Sequence, residues 1–433
     1  MSMRTAMTAM TAVLLVLSLT TTAFAPTSNH RHGVVHHDTI QSRNTCFAAA
    51  SEAAETKAST STSTSTSTKD EEDDLLLLEN LFNDFASFLE TKQAEIIEQI
   101  ESIDGSGEQF CRDTWGIFDN DYDNDENIDD KNNNKSGSGG ITRVIQGGNV
   151  VEKGACSLTL LRGGKLTADR AAAIRGRQSG SGSGNGNENH DIQIQEGDEY
   201  NAAALSIVLH TRSPMVPTFR SDVRIFMVRP NSHGNTDGNN SPTLAWFGGG
   251  ADLTPYYLFD EDITFFHSKM RDLCEAHSDS DADSDSNSMT RIDYPTMKQA
   301  CDDYFYIPAR SEHRGVGGIF FDDLPASQKS LSFVRGVVNS WMPSWFPIIN
   351  RRQPLDYTPQ QRQWQLLRRG RYLEFNLLAD RGVKFGLAQA NPRVEGVMVS
   401  APPLIAWEYN HKVEEGSEEE RLMKILKEPI DWV

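Results

Sequence analysis

Cysteine is scarce and scattered in this chain. Cys46, Cys111, Cys156, Cys274 and Cys301 form no CxxC pair and no metal-finger spacing. An odd, dispersed set argues against a disulfide-built scaffold and an iron–sulfur site, and points to free thiols in a reducing compartment. Net positive charge is also missing: 41 Lys and Arg stand against 61 Asp and Glu, a formal charge of -20. That balance argues against nucleic acid as a partner. Long apolar runs are lacking too. AVLLVLSL, at 12–19, is too short to span a membrane. The glycine-rich stretch WFGGGADLTPYY has no GKS or GKT continuation, so it is not a P-loop.

What is present divides unevenly. The acidity concentrates in tracts such as KDEEDD (69–74), DNDYDNDENIDD (119–130) and SDSDADSDS (278–286), which leaves the globular segments locally rich in arginine. Residues 1–25 read as a signal peptide, with Arg4 before the short apolar run and Ala23-Phe24-Ala25 as its cleavage site. Residues 26–74 read as a transit-like segment with an STSTSTSTST linker. The AFAP join resembles the bipartite presequences of algae with complex plastids, so the expected destination is the plastid, with no transmembrane segment in the mature chain. From residue 75 onward a single domain is expected. A helix should follow Asp73-Asp74, because Leu78, Leu81, Phe82, Phe85, Leu89, Ile96, Ile97 and Ile100 recur at helical spacing. Polar tracts near 118–140, 177–199, 231–242 and 277–290 cannot fold alone and read as surface insertions.

Four blocks carry chemistry. LSIVLHTRSPMVPTFRSDVRIF (205–226) predicts a strand, a proline-marked bend and a second strand, with Arg220, Asp222 and Arg224 sharing a face. WFGGGADLTPYY (246–257) offers glycines for a sharp turn or a close backbone approach, then Asp260 as an N-cap. YFYIPARSEHRGVGGIFFDDL (304–324) leads into an apolar strand, where Asp322-Asp323 reads as a strand end. In the fourth block, Arg371–Leu378 alternates apolar and polar residues and predicts a half-buried strand, with Asp380-Arg381-Gly382 as the turn leaving it. Arg368, Arg369 and Arg371 lie just upstream of that carboxylate, and Arg381 and Lys384 lie close by. Such a grouping suits either a ligand with several carboxylates or a structural ion-pair network.

Taken in order, these blocks resemble the oxygen-dependent coproporphyrinogen oxidase family. WFGGGADLTPYY, RGVGGIFFDDL and RRGRYLEFN carry the resemblance most specifically, joined by FCRDTW and GGITRVIQGGNVVEKG. The resemblance implies an α+β fold, a large antiparallel β-sheet flanked by helices on both faces, and a homodimer. It also implies oxidative decarboxylation of two propionates of coproporphyrinogen III to vinyls, giving protoporphyrinogen IX. Molecular oxygen would be the co-substrate, with no organic cofactor and the metal requirement open. By the same resemblance Asp380 holds the pyrrole N–H groups, while Arg381, Arg224 and Arg220 complete the catalytic set. Ser206, Asp222, Val223, Arg224, Asn391, Pro392 and Arg393 fall at substrate-contacting positions. Arg220 and Ala309 stand where the family usually has histidine, which leaves His210 and His267 as candidate metal ligands. Asp222 stands where the family usually has asparagine. The alternative reading is a weak or inactive tetrapyrrole-binding paralogue, acting as a sequestering or dimer-partner subunit.

Overall fold

Alternating β-branched and aliphatic residues build the strands, and capping signals set the helix ends. A computed structural model describes residues 67–118, 137–180, 194–230, 243–278, 291–387 and 393–433. The leader read at 1–25, the linker up to residue 66, and the greater part of each polar insertion lie outside the described residues.

Seven strands form one sheet, in the order β1-β2-β3-β4-β5-β6-β9, and every pairing is antiparallel. They are β1 (Cys111–Gly116), β2 (Gly139–Gln146), β3 (Val151–Lys165), β4 (Glu199–Thr211), β5 (Thr218–Arg229), β6 (Leu244–Thr254) and β9 (Gly317–Pro325). A two-stranded ribbon, β7 (Tyr306–Ile307) and β8 (Glu312–His313), sits apart from them. The predicted hairpin of strand, bend and strand is β4–β5.

One face of the sheet is hydrocarbon. Leu205, Ile207, Leu209, Phe219, Val223, Ile225, Phe247, Ile319 and Phe321 point into the main core. Helices α1 (Ser67–Asp104), α3 (Asp260–His277) and α5 (Gln328–Arg352) cover that face. The periodic residues of α1, from Leu81 to Ile100, are buried as their spacing predicts, although the helix begins at Ser67, before Asp73-Asp74. The N-cap of α3 is Phe259 rather than Asp260; Asp260 stands inside the first turn with Glu261 and Asp262. The opposite face meets α2 (Ala168–Gly180), α4 (Tyr294–Phe305) and α6 (Pro359–Leu378) through two smaller apolar clusters.

Two sequence expectations fail here. The alternation over Arg371–Leu378 is not a strand; those residues finish α6. Thr358 caps this helix in a reciprocal box with Gln361, Pro359 occupies its first turn, and no β-branched residue occurs through Leu378. Its buried positions include Trp364, Leu367, Arg368, Tyr372 and Phe375, a helical stripe that eight residues were too few to reveal. The second concerns WFGGGADLTPYY: of the two uses read for its glycines, a sharp turn or a close backbone approach, the turn is not made. The glycines run through β6 as extended strand, and room is their contribution: a Cβ on Gly248 would lie 2.8 Å from Arg224 Nη2 and from Asp322 Oδ1.

Candidate active site

The pleat that buries Val223 turns its neighbours the other way. On the second face, one rung crosses the whole sheet: Asp113, Thr142, Ser157, Ser206, Asp222, Gly250 and Phe320 are successive register partners. Ser206 lies on β4, the central strand, and is exposed. A central strand has neighbours on both sides, so this exposure marks an open floor between the covering helices. Val223, expected among substrate contacts, does not reach that floor, because its side chain is fully buried in the core.

Charge concentrates beside the rung. Arg220 and Arg224 flank Asp222 on β5 and pair with it at 2.5 Å and 2.6 Å. Arg224 also reaches Asp322 on β9, at 2.9 Å. Asp322 then accepts from Arg381, at 3.1 Å. Arg220 turns its other side toward Asp252, 3.7 Å away, and Asp252 is held by buried Arg314 at 2.6 Å. The Nη1 of Arg220 is buried without a hydrogen-bond partner among the described residues. Burial works against both β5 cations, but the carboxylates around them, Asp222 and Asp252 for Arg220 and Asp322 and Asp222 for Arg224, more than offset it. Both guanidinium groups therefore stay charged at any working pH.

Asp322 is the residue the sequence reading missed. It does not merely end a strand: it joins Arg224 on the sheet to Arg381 on α7 (Arg381–Leu387). Asp380 stands half-buried between α6 and α7. Its Oδ1 accepts the Val383 amide at 2.8 Å, and its charge reaches Arg220. Aromatic rings wall this end. Tyr304 stacks on Phe320 at 4.4 Å, and Arg381 lies over the Tyr304 ring at 4.8 Å. Arg393 sits at the far end of the rung, paired with Asp113 at 2.8 Å and lying over Trp115. From β1 to β5 the rung covers four strand spacings, roughly 19 Å. Asn391 and Pro392 lie outside the described residues.

The arginines upstream of Asp380 are committed elsewhere. Arg368 pairs with Glu312, Arg369 with Glu152 and Arg371 with Glu374. Of the two readings open for that grouping, these three fit the structural ion-pair network.

The two histidines occupy separate settings. His210 donates through Nε2 to the Ser400 carbonyl at 2.9 Å, which leaves Nδ1 facing the Thr218 hydroxyl, and its ring meets Tyr372 edge-on. Burial, and after it the Arg369 charge, holds His210 neutral well below its ordinary range. His267 bonds the Tyr294 hydroxyl through Nδ1, and burial pushes it down to about 3. Among the described residues, no group of three or more His, Cys, Asp or Glu side chains is placed to hold a metal ion.

Comparison with known proteins identifies the family. The family model for coproporphyrinogen III oxidase matches residues 84–432. Mitochondrial oxygen-dependent coproporphyrinogen-III oxidase of Mus musculus is 37% identical over 343 residues, covering 79% of this chain and 66% of the mouse protein. Chloroplastic coproporphyrinogen-III oxidase 1 of Arabidopsis thaliana is 36% identical over 351 residues, covering 81% of this chain and 78% of the relative. The Francisella philomiragia enzyme is 34% identical, and the match takes in 97% of its length. A family match spanning residues 84–432, together with relatives 34–37% identical over about four fifths of the chain, over a sheet whose polar face carries the arginine–aspartate chain, places this protein in the coproporphyrinogen III oxidase family.

Proposed function

We propose that the open face of the sheet binds coproporphyrinogen III, and that the chain decarboxylates two of its propionates oxidatively to vinyls. Oxygen is the electron acceptor and protoporphyrinogen IX the product. The observation that carries this reading is the charge chain Arg220–Asp222–Arg224–Asp322–Arg381 along one wall of an otherwise polar floor. Arg224 and Arg381 keep 33% and 52% of their side chains exposed, so guanidinium donors remain open to the propionates. Arg393, across the floor, offers a second contact.

Asp380 is placed for the macrocycle's converging N–H groups. One of its oxygens serves Val383, and a carboxylate can accept several hydrogen bonds more. His210 and His267 serve the fold: each has a polar partner in the protein, and their burial keeps them neutral. Arg220 orients propionate instead of moving protons, because two carboxylates hold its charge.

The test is an aerobic assay of the purified chain with coproporphyrinogen III, run with and without a chelator, beside Asp380→Ala. Conversion to protoporphyrinogen IX, lost in the variant, supports the enzyme. Tight binding without conversion, unchanged when histidine replaces Arg220 and Ala309, supports the binding paralogue instead. Two finer readings accompany the proposal. The leader at 1–25 and the transit-like segment at 26–74 send the chain to the plastid, and a fluorescent fusion of residues 1–74 expressed in a diatom tests this. Exposed Leu378, Leu404, Trp407 and Tyr409 give a second copy an apolar surface, and light scattering tests the homodimer.

A further inference from the structure

We infer that Tyr304 is the general acid of this site and delivers the proton that reduced oxygen requires; the inference rests on the activity proposed above. The stoichiometry demands such a group. When a propionate becomes a vinyl, the bond from its α-carbon to the carboxylate carbon breaks, and that electron pair forms the double bond. Carbon dioxide leaves, a hydrogen departs the β-carbon with its electron pair, and dioxygen takes both as hydroperoxide anion. One further proton then makes hydrogen peroxide.

The groups described so far are poor donors of that proton. Arg220, Arg224 and Arg381 are held charged by aspartates, and a guanidinium does not give up a proton in proteins. His210 and His267 are buried and neutral, each bonded to a partner within the fold. Tyr304 differs on each count. It is half-buried, at the C-terminal end of α4. Phe320, the last residue of the polar rung, stacks on one face of its ring at 4.4 Å and 8°. Phe305 and Phe375 meet it at steep angles, with centroids 4.9 Å and 5.7 Å away, and Arg381 lies over the ring. The ring is therefore held in place beside the end of the rung, under the Arg381 guanidinium. Arg381, at the start of α7, lies over it, and from Arg381 the charge chain runs through Asp322 on β9 to Arg224, Asp222 and Arg220 on β5, with Asp380 in the turn before α7.

Tyr304→Phe removes the hydroxyl and keeps the stacked ring, so the fold survives the test. General acid catalysis contributes ~10²–10⁴-fold. The expected result is a fall in kcat of at least roughly a hundredfold with KM within about twofold. A small buffer acid such as imidazolium should then restore the variant's rate in proportion to its concentration while leaving the parent unaffected. Unchanged kcat overturns the inference. A loss confined to KM also overturns it, and makes the hydroxyl a substrate contact. A low kcat that no buffer acid raises, across a series from imidazolium to ammonium, overturns it in favour of a structural role. If the parent chain itself turns over no coproporphyrinogen, the proposed activity falls and this inference with it.

Discussion

Two groups of arginines lie close together in this molecule and do opposite work. Arg368, Arg369 and Arg371 sit on α6 and are each matched by a glutamate from the protein. Arg369 is fully buried and also donates to the Thr211 carbonyl, so no donor geometry is left for a ligand. Arg220, Arg224 and Arg381 are linked in a chain through Asp222 and Asp322 beside an open floor, and Arg381 remains 52% exposed. The residue type is the same. What separates structural from ligand-binding arginine is access: Arg368, Arg369 and Arg371 are at most 12% exposed, whereas Arg224 and Arg381 keep 33% and 52%.

Breaking that comparison calls for one change on each side. Arg369→Ala takes one partner each from Glu152, which keeps Arg362, and from the Thr211 carbonyl, which keeps Gln365, and should cost about 1.5–3 kcal/mol in a denaturant melt. A loss under about 1 kcal/mol would falsify the structural assignment. Arg224→Ala should do the reverse. Asp222 keeps Arg220 and Asp322 keeps Arg381, so stability changes little. Binding of a propionate loses a charge-assisted pair, and kcat/KM should drop by about a hundredfold, roughly 2–3 kcal/mol. Equal damage to stability and rate would erase the distinction between the two groups.

Finer changes sharpen it. Gly248→Ala pushes a methyl against the Arg224–Asp322 pair and should raise KM about tenfold, near 1.4 kcal/mol, with the melting temperature nearly unchanged. Acid should discriminate most gently. Burial raises the Glu152 pKa, but the Arg362 hydrogen bond and the Arg369 charge outweigh it, so the carboxyl titrates below its ordinary 4.5. Its stabilisation is complete above the unfolded value and disappears as pH falls through the lower folded one. A pH series of melts should therefore slope downward below about pH 4.5, and Glu152→Gln should flatten that slope. An unaltered slope would place the acid sensitivity elsewhere.

The hairpin carrying Arg220, Asp222 and Arg224 was legible in the sequence because alternation and two prolines agree there. The helix at 359–378 was not. Its last eight residues satisfy a period of two by chance, and the decisive signals, the Thr358–Gln361 box and the missing β-branched residues, lie upstream. Asp322 escaped because a paired Asp-Asp reads as a strand end; only the register across β6 and β9, with its irregularity at Phe247/Gly249, brings it to Arg224. Tyr304 had no local signal at all, since stacking partners from three elements cannot be read from spacing.

The seven-residue rung has one more consequence. Its members come from seven different strands, from Asp113 near one end of the fold's sequence to Phe320 far downstream. A fragment ending before β9 lacks both Phe320 and Asp322, and with Asp322 the link from Arg224 to Arg381. During synthesis the ribosome must release β9 before the last position is filled, so the complete floor exists only after most of the chain has emerged.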